Sequence, residues 1–156
     1  MASFAAAKSL PLLFELFGEE TILVPPAVQE EITQGVERGK EHLREVVRLI
    51  EAGKLTAETL TAEDIETARG LPGSLGPGER QAIAICIRAG GRLLSNDKRV
   101  VNFCASHGVK CYPLSVVLRL LWETQVTSKT KVKTMMRRMQ TVEGIVFKEP
   151  KAILKS

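Results

Sequence analysis

Glu31, Glu79 and Asp97 are the residues of this sequence whose type and placement could do chemistry. Glu31 falls in a predicted helix just after a short β-branched run at residues 21–24. Glu79 opens a predicted helix behind a glycine-rich loop, and Asp97 stands two residues after a predicted strand ending at Ser95. In an open parallel sheet, ligands gather outside the C-terminal ends of the strands, so all three are expected on one edge. Only one other aspartate exists in the chain, Asp64. Oxygen ligands without histidine or thiolate suit a hard cation, Mg²⁺ or Mn²⁺. Such an ion lowers the pKa of bound water and neutralises charge on a phosphate under attack, so the expected chemistry is phosphodiester hydrolysis. Each carboxylate also has a structural role open to it. Glu30, Glu31 and Glu79 suit a helix N-terminus through the macrodipole, and Asp97 can cap the helix that begins at Lys98. Independent capping does not require all three on one edge.

The elements that would position them follow from the hydrophobic pattern. Residues 4–17 read as helix from the outset, and residues 21–24 as a strand closed by Pro25-Pro26. Helices are predicted over 27–35 and 36–52, the latter ending at Gly53, with a weak strand at 55–60. Thr61 with Asp64 three residues later has the capping-box spacing, so 62–69 is a short helix. Residues 70–78, rich in glycine and proline, are a loop. The helix at 79–89 is apolar nearly all round and expected to be buried. A strand at 92–95, a helix at 98–106, a strand at 109–112 and helices at 113–123 and 129–140 follow. Residues 144–147 are expected to be extended, with a last helical turn after Pro150. Strands separated by helices imply a mainly parallel sheet in a three-layer α/β/α sandwich. Residues 1–126 are expected to form this domain, and 127–156 a basic helical extension packed on it.

Composition bounds the rest. The chain has 156 residues, 44% of them hydrophobic and 26% charged, enough for one domain with a core that needs no staples. A mean hydropathy of +0.02 excludes a disordered chain. The longest apolar run, residues 82–87, is far short of the ~18 residues that span a bilayer. No basic n-region precedes the first apolar stretch, so a secretory signal is not expected. The three cysteines are odd in number and lack C-x-x-C spacing, which points to a reduced, cytoplasmic protein with the thiols as core residues. His42 and His107 read as surface residues. From residue 128 onward eight basic residues face two acidic ones, a balance of +6 that leaves −2 for the remainder. That asymmetry suits a polyanion partner, and equally a solvated helix face. Val116, Val117, Leu120, Leu121 and Trp122, with Met135, Met136 and Met139, form apolar faces for the core or for a second chain.

Three segments resemble one family. Val24-Pro-Pro-Ala-Val-Gln-Glu-Glu31-Ile32, Leu75-Gly-Pro-Gly-Glu79-Arg-Gln-Ala-Ile-Ala84 and Leu93-Leu-Ser-Asn-Asp97-Lys are similar to PIN domains. The similarity is greatest to the PilT N-terminus-like subgroup related to VapC-type toxins. It runs from about Ser3 to Val126, and the basic tail is similar to that subgroup's C-terminal extension. The resemblance implies a Mg²⁺- or Mn²⁺-dependent ribonuclease acting on single-stranded RNA, a homodimer, and an antitoxin partner. It makes Glu31 (with Glu30 in near register), Glu79 and Asp97 the metal ligands. Ser95 would orient Asp97 or a metal-bound water. Arg99 stands where many relatives carry another acid. Met1 stands where PIN domains place the aspartate that ends their first strand, so that strand is expected to precede Met1 or to be missing. Activity is then weak or absent, and the alternative is a catalytically silent module that binds RNA or a protein.

Overall fold

The computed structural model describes residues Met1–Ser156. Its elements are ten helices and four short strands, a mixed α/β chain. Two compact units emerge, one of Met1–Ile22, Ile32–Leu55 and Ser115–Ser156, the other of Leu23–Glu31 and Thr56–Leu114. All four predicted site residues fall in the second.

That second unit contains every strand. β1 (Leu23–Val24) pairs in parallel with β2 (Thr56–Ala57), and β3 (Arg92–Ser95) pairs in parallel with β4 (Lys110–Pro113). β1 is short because Pro25 follows it, and a proline has no N–H to extend the ladder. Between β2 and β3 lie α5 (Ala62–Gly70) and α6 (Pro77–Ala89), and α7 (Lys98–Ser106) joins β3 to β4. The predicted capping box forms: Thr61 Oγ1 accepts the Asp64 N–H at 3.1 Å, and Asp64 Oδ2 accepts the Thr61 N–H at 3.0 Å. Leu75, Ile83, Val100 and Cys104 make a core against which Leu93, Phe103 and Cys111 pack. α6 is less buried than its composition implies. Ile83, Ala84 and Ile85 are inside, but Ile87 is 52% exposed.

The first unit is helical. α1 (Ala2–Ala6) packs on α4 (Leu43–Glu51) and on α9 (Lys129–Glu143). The single helix expected over 4–17 is two, α1 and α2 (Leu10–Phe17), because Lys8 takes φ 53 and Ser9-Leu10-Pro11 starts a new helix with proline in its first turn. α3 (Pro26–Glu37) ends near Gly39, at φ 89, and α4 begins only at Leu43, so the helix expected over 36–52 is confined to its second half. His42 is not a surface residue: its ring is 16% exposed and pairs with Glu143, a partner 101 residues away. α8 (Leu114–Glu123) buries Val117, Leu118 and Leu121, and α9 buries Val132, Met135, Met136 and Met139. The methionines, expected in the core or against a second chain, are core. Residues 144–147 form no strand, and the chain ends in α10 (Pro150–Leu154).

Candidate functional site

The turn after β3 is built from its own side chains. Ser95 Oγ accepts the Asp97 N–H at 3.1 Å, and Asp97 Oδ1 accepts the Arg99 N–H at 2.8 Å, capping α7. The Arg99 guanidinium then folds back over the same carboxylate. Its Nε lies 3.1 and 3.2 Å from the two oxygens and its Nη2 lies 2.5 Å from Oδ2. The remaining Nη1 donates to the Ser74 carbonyl at 2.9 Å, tying this turn to the loop before α6. The guanidinium's hydrogen bonds and the Arg99 N–H hold the Asp97 carboxyl below the usual carboxylate range, against the opposing effect of burial. Arg99 is in turn held more firmly protonated, first by Asp97 and also by the charge of Glu79.

Glu79 sits in the first turn of α6, where its Oε2 accepts the Gly76 N–H at 2.7 Å. Glu31 is exposed on α3, and packing at Gly78 brings it to the start of α6. A Cβ on Gly78 would lie 2.8 Å from Val28 Cγ2 and 3.5 Å from Glu31 Oε1, so only glycine admits this approach. Two glutamines fix the start of α3. Gln81 Oε1 accepts the Ala27 N–H at 2.8 Å, and Gln29 Nε2 donates to the Val24 carbonyl at 2.6 Å. Glu31 thus lies over the start of α6, Glu79 within it, and Arg99 between the fields of Glu79 and Asp97.

No group of three or more His, Cys, Asp and Glu side chains is placed to hold a metal ion. The donors are of the right kind for a hard cation, but Arg99 engages both oxygens of Asp97 and the Gly76 N–H engages Glu79. With Arg99 on both oxygens of Asp97, the arrangement does not fit a resident ion. The capping roles open to Glu79 and Asp97 are both filled.

Some participants were not apparent from the sequence. Arg99 reads there as the loss of an acid, and only its position two residues after a cap could have marked it as the partner of Asp97. Arg80, next to Glu79, has its Nε sealed from solvent with no hydrogen-bond partner. Asp64, fully buried, pairs with Arg88 at 2.8 Å. Burial favours the thiol form of all three cysteines, pushing Cys86 up to about 11 and Cys111 up to about 12 and raising Cys104 as well.

A family model described as a PIN domain matches residues 1–151. The chain belongs to the PIN-domain family. No curated protein and no solved structure matches it. PIN domains have a nuclease-type fold, generally use divalent metals and generally bind RNA. In this PIN domain the match reaches into the basic C-terminal segment. No helix is long and apolar enough to cross a membrane.

Proposed function

We propose that this PIN domain acts on single-stranded RNA and, in the arrangement described, holds RNA without cutting it rapidly. The Asp97–Arg99 pair carries this reading. The carboxylate nearest the end of β3 already has a cation on both oxygens, and that cation belongs to the chain. Glu31, Glu79 and Asp97 remain the residues for any hydrolysis, with Ser95 holding the Asp97 backbone in register. Were Arg99 to leave Asp97, these acids would be the residues to hold Mg²⁺ or Mn²⁺, whose chemistry is to activate a water and neutralise a phosphate under attack. The family resemblance adds a VapC-type toxin role, an antitoxin and a homodimer to the proposal, and light scattering reads the last directly.

The test is cleavage and retention of end-labelled single-stranded RNA with Mn²⁺, with and without excess chelator. Wild type is expected to retard the RNA and leave it largely intact. Arg99→Gln is expected to gain chelator-sensitive cleavage, and adding Asp97→Asn to that variant abolishes it. Rapid chelator-sensitive cleavage by wild type contradicts the closed edge, and failure to retard RNA at low salt contradicts the choice of substrate.

A further inference from the structure

We infer that the exposed half of α9, continued onto α10, is the surface that receives the phosphates of single-stranded RNA. The inference rests on RNA being the ligand and adds where the backbone lies. α9 divides cleanly along its length. Val132, Met135, Met136 and Met139 are buried, while Lys131, Lys133 and Arg137 are exposed. That packing fixes the helix and aims its cations at solvent.

Folding does not call for cations there. Lys129, Lys131 and Lys133 occupy the first turns of α9, where the macrodipole is positive and opposes them, and no acid stands in the first turn. None of the molecule's ion pairs uses Lys131, Lys133 or Arg137. The single acid of the helix, Glu143, is engaged by His42.

The strip continues onto the last helix. Lys129 Nζ hydrogen-bonds Ser156 Oγ and lies 4.0 Å from the centre of the Trp122 ring, whose Nε1 donates to the Ile153 carbonyl at 2.8 Å. These contacts set Lys155 beside the start of α9. An open depression of about 670 Å³ follows, lined by Lys148, Lys151 and Lys155 with a single acid, Glu149. Lys129, Lys133 and Arg137, spaced i, i+4 and i+8, make a row along the fixed helix with Lys131 on its flank, and the row runs toward a depression edged by lysines. Such a row suits a flexible polyanion whose phosphates can follow it. An acidic membrane is the poorer partner, because the strip offers no apolar row for insertion.

The experiment is fluorescence anisotropy with a labelled twelve-nucleotide oligo-U RNA across a salt series, in chelator so that nothing is cut. The probes are wild type, Lys131→Gln/Lys133→Gln/Arg137→Gln, and the charge-preserving Lys131→Arg/Lys133→Arg/Arg137→Lys. The glutamine variant is expected to bind on the order of tenfold more weakly at low salt. Its log–log salt slope should be about 2 units shallower, at roughly 0.7 for each phosphate left without its cation. The charge-preserving variant should match wild type, and the glutamine variant should melt no lower than wild type. If wild type binds RNA and the glutamine variant keeps its affinity and slope, the α9 surface is overturned while RNA binding stands. A wild type that binds no RNA overturns the RNA reading as well.

Discussion

Two aspartates in this molecule meet two arginines and serve different ends. Asp97 is 26% exposed on its side chain and shares its arginine with a loop carbonyl, so its partner can exchange with solvent. Asp64 is completely buried and closes a capping box while pairing with Arg88, so it is structural. The Arg88 hydrogen bond holds the Asp64 carboxyl below its ordinary value despite burial, with Thr61 adding to the effect. In that range the unfolded chain binds the proton more readily than the folded one, so stability rises with pH. The stabilisation is complete well above about pH 4, the unfolded value, and drains as pH falls through the lower folded value. Urea titrations from pH 7 down to 3 should show this loss. Asp64→Asn should lose stability at pH 7 and flatten the acid limb, since it keeps the side chain's shape without its charge. An unchanged acid limb in Asp64→Asn would contradict the assignment.

Among the elements, the start of α6 decides where the acids lie. Gly76-Pro77-Gly78-Glu79 combines an N-cap, a proline in the first turn, a close approach and a capping carboxylate in four consecutive residues. Gly78→Ala should cost about 1–3 kcal/mol, the range for forcing a methyl into a filled contact, because Val28 must move. The added methyl would meet Glu31 Oε1 only at an ordinary 3.5 Å contact, so the cost falls on Val28, a contact that Glu31→Gln leaves alone. Denaturant midpoints separate them: Gly78→Ala falls and Glu31→Gln stays near wild type. At this scale the sequence was most legible where a local rule applied. Thr61 with Asp64, the strand at 92–95 and the helix at 98–106 were all readable from spacing. The break at Lys8 was also encoded, in Ser9-Leu10-Pro11, and was masked by continuous hydrophobicity on both sides.

Across the whole molecule, charge and burial are distributed by unit. The unit of Leu23–Glu31 and Thr56–Leu114 carries the strands and the acidic turn, while α9 and α10 carry the uncompensated lysines in the other. Composition disclosed the basic tail, but not that the methionines of α9 turn inward while Lys131, Lys133 and Arg137 stay outside. The candidate acids were legible one at a time, each from its place after a strand or at a helix start. Their relation was not, because it is set by contacts distant in sequence: Arg99 with Ser74, Gly78 with Val28, Gln81 with Ala27. On the proposal above, Arg99 occupies Asp97 where a metal ion would bind. Calorimetric titration of Mn²⁺ into wild type and into Arg99→Gln, without RNA, tests it most directly. Wild type should bind Mn²⁺ weakly, and Arg99→Gln at least about tenfold more tightly, the effect of removing a competing cation from one carboxylate. Equal affinity in the two proteins would contradict the account.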